Sequence, residues 1–315
     1  MNDSTTPSRN DQPVPFVPGP GMSRRAFMGA AATLAALTVN GKAIASGHGE
    51  GLSPDRMAVL VDLTRCVGCR RCEWACADAN ENPHGALEHY DDQSVFRSRR
   101  APSDREFCVV NRSSACRDDG QPYFVKVQCM HCEKPPCVSA CLVGAMQKDP
   151  SGVVTYDASR CIGCRYCMVA CPFDRLAYEF DRRLLPRVRK CEMCRHRTQH
   201  GRLPACVETC PVEALQYGRR GDIIRIARER IAAHPDRYVD HVYGETEGGG
   251  TSWIYLSGRP FEEMSAAGLP ALAPVSPAVR TETIQHGIFK WGAAPMALAA
   301  LLASLNKLTK KGEAS

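Results

Sequence analysis

Sixteen of the eighteen cysteines in this chain fall into four quartets, and no other feature restricts its fold so strongly. Cys66, Cys69, Cys72 and Cys76 are spaced C-x2-C-x2-C-x3-C, and Cys161, Cys164, Cys167 and Cys171 repeat that spacing and add Pro172. Cys129, Cys132, Cys137 and Cys141 widen the middle gap to four residues. Cys191, Cys194, Cys206 and Cys210 delay the third cysteine by eleven residues and are followed by Pro211. In a C-x2-C-x2-C run three thiolates wrap one corner of a cubane along a tight loop. The cysteine after x3, expected at the start of the next helix, points to a neighbouring cluster. The pattern predicts four 4Fe-4S clusters as cofactors.

Two other chemistries also use many cysteines. C-x2-C pairs about a dozen residues apart, as between Cys191 and Cys206, make tetrahedral zinc sites, and a secreted chain can carry a disulfide scaffold. A zinc-binding or disulfide-rich structural protein is therefore the competing class. A C-x3-C tail in every quartet, with Pro behind two of them, favours clusters over both. Cys108 and Cys116 lie outside the pattern, in the long connection between the first and second quartets. They are expected as either a disulfide or a free buried pair.

Residues around the quartets fit the same chemistry. Gly68 and Gly163 stand between the first two cysteines of their quartets, where a tight loop and close backbone approach favour a residue without Cβ. His131 lies between Cys129 and Cys132, and because that quartet is already complete it is expected to be packed or hydrogen-bonded. Arg65, Arg70, Arg71, Arg160, Arg165, Arg189, Lys190, Arg195 and Arg197 crowd the ligands. They are expected as solvated surface charge or partial compensation of anionic clusters; a donor aimed at cluster sulfur would instead raise the reduction potential.

Three short alternating stretches, Ala58–Asp62, Tyr123–Val127 and Val153–Tyr156, predict strands feeding the ligand loops, hence a βαββαβ-like ferredoxin unit. Asp222 to His234 predicts an amphipathic helix with Asp222 as N-cap, Ile223, Ile224, Ala227 and Ile231 on one face, and Pro235 past its end. Gly248-Gly249-Gly250 predicts a flexible loop before a strand at Thr251–Leu256 and lacks the context of a phosphate cradle. No Ser/His/Asp arrangement, HExxH or spare nucleophilic cysteine points to catalysis. The net charge of +6, part of it in the N-terminal segment, is too small to argue for nucleic acid.

Both ends carry targeting features. Arg24-Arg25 before a small apolar run predicts a twin-arginine (Tat) signal over residues 1–45, with Ala43-Ile44-Ala45 as the cleavage site and Ser46 as the mature start. Such substrates cross the membrane folded, so clusters can be assembled in the reducing cytoplasm. Trp291 to Leu305 carries no charge and is flanked by Lys290 and by Lys307, Lys310 and Lys311. Although shorter than the roughly twenty residues of a full span, it is expected as a C-terminal membrane anchor over 288–308, with a hydrophobic helix packed on a partner as the alternative.

The four quartets in this order, with CMHCEKPPC at 129–137 and CIGCRYCMVACPF at 161–173, resemble the four-cluster subunits of exported bacterial respiratory oxidoreductases. The resemblance covers about residues 56–305. Within that group, the twin-arginine segment, YGETEGGGT at 243–251 and the ETIQH…FKWG…P lead at 282–295 are most similar to HybA-type subunits of membrane-bound nickel–iron hydrogenases. Beta subunits of formate dehydrogenase and other molybdopterin oxidoreductases are similar in the cluster core. The resemblance implies an α+β fold of two interlocked bacterial-ferredoxin-like units, a tandem domain over 56–218, with an extension at 219–285 and a C-terminal transmembrane helix.

It further implies that the first quartet interlocks with the fourth and the second with the third. Cys66, Cys69, Cys72 and Cys210 would hold one cluster, and Cys191, Cys194, Cys206 and Cys76 its neighbour. Cys129, Cys132, Cys137 and Cys171 would hold a third, and Cys161, Cys164, Cys167 and Cys141 the fourth. The implied role is a non-catalytic electron-transfer subunit on the periplasmic side of the cytoplasmic membrane. Its implied partners are a catalytic subunit of hydrogenase or molybdopterin type and an integral-membrane quinone-reactive subunit. Two departures stand out: Leu142 and Ala77 follow Cys141 and Cys76 where the pattern has Pro, and Cys108 and Cys116 have no place in it.

Overall fold

A computed structural model describes residues 56–279 and Glu282, all within one unit spanning Ser46–Ser315. The predicted signal peptide, its cleavage site and the C-terminal anchor lie outside the described residues, among which no helix is long and apolar enough to cross a membrane. In chain order the elements are β1 (Met57–Asp62), α1 (Arg71–Ala79), β2 (Cys108–Cys116), β3 (Pro122–Gln128), α2 (Pro136–Ser139), β4 (Met146–Lys148), β5 (Val154–Tyr156) and α3 (Tyr166–Val169). There follow β6 (Ala177–Tyr178), β7 (Val188–Arg189), α4 (Arg195–Thr198), α5 (Ala205–Glu208), β8 (Leu215–Arg219), α6 (Arg220–Ala233) and β9 (Trp253–Leu256).

β1 reads MAVLVD and is buried on both faces, as a central strand should be. It pairs antiparallel with β8, Val59 opposite Tyr217, and parallel with β9, Val59 opposite Trp253. Because side chains alternate along a strand, Val59 and Val61 enter the core shared with the cysteines, while Ala58 and Leu60 meet Ile223, Ala227 and Ile231 of α6. Short hairpins β4–β5 and β6–β7 frame the second and third quartets. The strands beside the first and fourth quartets thus come from the outer segments of the ferredoxin-like core, and those beside the second and third from its middle.

β2 and β3 form a hairpin inserted between the first two quartets, with Val109 opposite Val127. Cys108 is buried at one end of β2 and Cys116 exposed at the other. Eight strand steps separate them by roughly 26 Å, far beyond the ~7 Å limit for Cα atoms joined by a disulfide. They form neither of the two expected pairs.

Two local expectations change. α6 starts at Arg220, directly from β8, and Asp222 sits in its first turn without capping it. The start is set by the buried Arg220 guanidinium, which donates to the carbonyls of Thr251 at 2.8 Å, Glu245 at 3.0 Å and Gly244 at 3.2 Å. The strand expected from Thr251 begins at Trp253, and the glycine loop before it is held rather than flexible. Gly248 N–H donates to Ala273 at 2.9 Å, and Gly250 accepts from Glu133 N–H at 2.9 Å. The buried Glu247 carboxylate accepts from Gly244 N–H at 2.6 Å and lies 2.6 Å from His241 Nε2.

Gly244 has φ of +92°, and a Cβ there would collide with the Trp253 carbonyl oxygen. Gly244→Ala combines that collision with left-handed strain of about 1–3 kcal/mol. The variant is expected to unfold several degrees below the unsubstituted protein in a thermal melt followed by circular dichroism.

Candidate metal centre

Each third cysteine begins a helix, and each fourth lies about one turn further on. Arg70, at φ 59°, turns the chain into α1, which then carries Cys72 in its first turn and Cys76 four residues later on the same face. Cys137, Cys167 and Cys206 stand in α2, α3 and α5, and Cys141, Cys171 and Cys210 lie just past the ends of these four-residue helices. The fourth cysteine therefore belongs to the third cysteine's helical turn and not, as expected, to the start of the next helix. Pro172 and Pro211 cannot continue a helix; after Cys76 the chain has Ala77, and α1 runs on to Ala79.

The thiols assemble across quartets. Cys66, Cys69, Cys72 and Cys210 line one cavity (site I) with about 410 Å³ of non-atom space including its mouth. Cys141, Cys161, Cys164 and Cys167 line another (site IV) of about 300 Å³. Cys132 interacts with Cys129, Cys137 and Cys171 (site III). Cys76 interacts with Cys191, and Cys194 with both Cys191 and Cys206 (site II). Among the described residues no three His, Cys, Asp or Glu side chains converge on a single point as the ligands of one metal ion would.

The four sites run in series. Sites I and II share α1 through Cys72 and Cys76, Cys191 of site II interacts with Cys129 of site III, and Cys137 of site III with Cys167 of site IV. All four cysteines of site II are buried, as are three of site III. Site I is half-buried, and site IV opens to solvent at Cys164.

Burial dominates the electrostatics. It pushes the Cys66 thiol up to about 11, Cys167 to about 11 and Cys206 to about 12, and raises Cys72, Cys132 and Cys191 strongly. Left to themselves these groups stay neutral, so they ionise only against a cation such as iron. Backbone amides already point at the sulfurs: Met193 N–H to Cys191 Sγ at 3.3 Å, Gly163 N–H to Cys161 Sγ at 3.4 Å, and Ala145 N–H to Cys141 Sγ at 3.2 Å. Four thiols per site with amide donors on the sulfurs fit the ligand field of a 4Fe-4S cluster. Gly68 has φ of +70°, and a Cβ there would press into the Phe124 ring at 2.6 Å.

Most of the basic residues near the quartets have other partners. Arg70 pairs with Glu73 at 3.0 Å, Arg160 with Asp157 at 3.4 Å, Arg195 with Asp149 at 2.9 Å, and Arg197 with Glu208. Arg65 lies 3.7 Å from Glu213. Arg165 stacks on Tyr178 and Phe180, Arg189 on Phe107, and Arg71 is exposed. Lys190 differs: it is buried and donates to the carbonyls of Val154 and, at 3.1 Å, Cys191. His131 is fully buried and accepts from Val154 N–H at 2.9 Å through Nδ1. Burial, with Lys190 and Lys148 nearby, holds its pKa well down, so the ring is neutral.

Sequence reasoning missed two residues at this centre. Glu73, buried beside Cys72, joins Arg70, Arg100 and, at 2.5 Å, Val110 N–H, and so ties α1 to β2. Lys126 reaches sites I and II from β3. A charged letter inside the otherwise apolar run Tyr123–Val127 was the available sign for Lys126.

Residues 121–220 match the family model of the 4Fe-4S dicluster domain. With the thiol-lined sites and short hairpins, that match defines a ferredoxin-like iron–sulfur protein of the electron-transfer class. The hydrogenase-2 operon protein HybA of Escherichia coli O157:H7 is 35% identical over 93% of this chain and 97% of its own length. A protein of Nitratidesulfovibrio vulgaris (strain Hildenborough) is 48% identical over 79% of this chain and 67% of its own. The formate dehydrogenase-O iron–sulfur subunit of Escherichia coli K12 is 32% identical over 72% and 75%. The chain belongs to the HybA-type family of iron–sulfur subunits, related to those of formate dehydrogenases.

Cys76→Ser provides a test of the cross-quartet grouping. It is expected to perturb the centre that includes Cys191, Cys194 and Cys206 while site I keeps its four thiols, read by redox titration with EPR detection. Loss of the site I signal alone would contradict it.

Proposed function

We propose that sites I to IV each hold a 4Fe-4S cluster through the cysteines named above, and that the chain conducts electrons between two other subunits without catalysing a reaction. The carrying observation is the burial profile: sites II and III lie inside, while I and IV reach the surface. A relay needs its interior sites shielded from water and its terminal sites open to partners. When bound, each cluster supplies a one-electron carrier. The chain supplies the rest: the C-x3-C turns hold consecutive sites against one another, amides and buried cations set their electrostatics, and the apolar core excludes solvent from sites II and III.

Exposed apolar side chains mark the two ends. Ile162 is 65% exposed beside Cys161, Leu142 73% beside Cys141, and Val67 50% beside Cys66. Such residues suit contact with a partner subunit. The catalytic partner is a nickel–iron hydrogenase. This choice over a formate dehydrogenase or other molybdopterin enzyme is supported by the HybA match, which extends beyond the cluster core to 93% of the chain, against 72% for the formate dehydrogenase subunit. The second partner is an integral-membrane, quinone-reactive subunit. Arg24-Arg25 and the apolar segment within residues 288–308 support export by the twin-arginine route and a C-terminal anchor, hence a location on the periplasmic face of the membrane.

Purification of the complex in detergent tests this reading. About sixteen iron atoms per chain are expected, four for each cluster, with a nickel–iron catalytic subunit identified by mass spectrometry. Zinc in place of iron would reject the clusters, and a molybdopterin subunit would reject the hydrogenase partner. Deleting residues 288–315 is expected to release folded, iron-loaded protein from the membrane and to reduce electron transfer to quinone, followed by fractionation and a quinone-reduction assay. Truncated protein that stays membrane-bound at full rate would show that the segment is not the anchor.

A further inference from the structure

Lys126 is buried in β3, three residues before Cys129. Its Nζ donates to Gln128 Oε1 at 3.1 Å and lies 4.6 Å from the centre of the Trp253 ring. Gln128 is itself held by the Tyr255 hydroxyl at 2.7 Å, and that hydroxyl donates to the Lys126 carbonyl at 2.9 Å. The ammonium is therefore fixed in place by neutral groups. A buried charge is costly unless it is paired. Buried Lys148 has Glu133 at 3.7 Å, and buried Arg70 has Glu73. Among the described residues Lys126 has no carboxylate partner; the groups that interact with it are sulfurs, Cys108, Cys206, Cys72 and Cys76, which become anionic when they ligate iron. Its charge is also felt at Cys191 and Cys194. Packing gives the same placement: Lys126 lines the site I cavity with Cys66, Cys69, Cys72 and Cys210, and Trp253, under its Nζ, shares a core with Cys76, Cys191 and Cys206 of site II.

Cys108 apart, these sulfurs belong to two sites only. Cys72 is in site I; Cys76, Cys191, Cys194 and Cys206 are in site II; and Cys108, outside the quartets, interacts with both Cys76 and Lys126. Lys190 is the corresponding cation on the other side, with its charge acting on Cys137 of site III. We propose that Lys126 is a positioning residue for electron transfer, the shared counter-cation of the clusters of sites I and II, which raises the reduction potential of both. The proposal rests on the reading that clusters occupy these sites. Each one-electron reduction adds a negative charge, and a fixed cation in a poorly screening interior stabilises the reduced form more than the oxidised one.

The test uses the purified complex and EPR-detected redox titration, with the site II signal assigned through Cys76→Ser. Lys126→Met and Lys126→Gln remove the charge, and Lys126→Arg retains it. In both neutral variants the reduction equilibria at sites I and II are expected to fall at least ten-fold, equivalent to 59 mV per electron. Sites III and IV should stay in place, and the Arg variant should remain near the unsubstituted values. Neutral variants that lose iron at sites I and II while the Arg variant keeps it also support the counter-ion role. Unchanged potentials at sites I and II, an equal shift at all four sites, or loss of iron from the Arg variant as well would overturn it. Iron content and the number of signals in the unsubstituted complex test the cluster reading separately, so the two failures are distinguishable.

Discussion

A thiol taken out of water stays a thiol unless a cation takes up its charge, and half of the cysteines here are buried. The main core contains Cys76, Cys108, Cys129, Cys132, Cys191 and Cys206 beside Val59, Val125 and Trp253. Where a domain of this size would place interlocking aliphatic side chains, this one places sulfur at the edges of cavities. Around the second and third quartets the secondary structure is correspondingly slight: hairpins of two or three residues per strand and helices of a single turn. Such elements are marginal alone. Cluster binding would therefore contribute to the folding of these segments, because the ligands that ionise on binding also join them.

The order of the sites follows from one helical turn. A residue and its fourth successor share a face of a helix, so a C-x3-C pair presents two sulfurs side by side while the loop before it fixes which site the first one serves. Repeated four times, with the first quartet meeting the fourth and the second meeting the third, this produces a row and not a cluster of equivalent sites. The C-x3-C turns join sites I and II and sites III and IV, and the Cys191–Cys129 interaction closes the one remaining step. The outer segments bring β1 against β8, and β9 adds a parallel strand that carries Trp253 and Tyr255 beneath Lys126.

What the sequence makes legible is what spacing encodes. The quartets, the strands Ala58–Asp62 and Tyr123–Val127, and the apolar face of α6 depend on local periodicity and are visible without a fold. The start of α6 was not, because it is set by Arg220 reaching carbonyls more than twenty residues away rather than by a local cap. The Gly248–Gly250 turn looks like a linker by composition, yet its amides and carbonyls are taken up by Ala273 and Glu133. Cys108 and Cys116 look like a pair because they are close in sequence; an extended strand keeps them apart. In each case a tertiary partner overrode the local signal.

Charge divides along the same line. The arginines that stand next to the ligands in sequence were the obvious candidates for tuning the clusters, but they spend their charge on Glu73, Asp149, Asp157 and Glu208, several of them in water. Exposed pairs of that kind are screened within about a Debye length, roughly 8–10 Å in physiological salt. A lysine without a carboxylate, enclosed by Trp253, Gln128 and sulfur, is screened by almost nothing. The buried Lys126 and Lys190 thus face the cysteine sites with less screening than the paired arginines around them, and the net charge of +6 says little about the field inside.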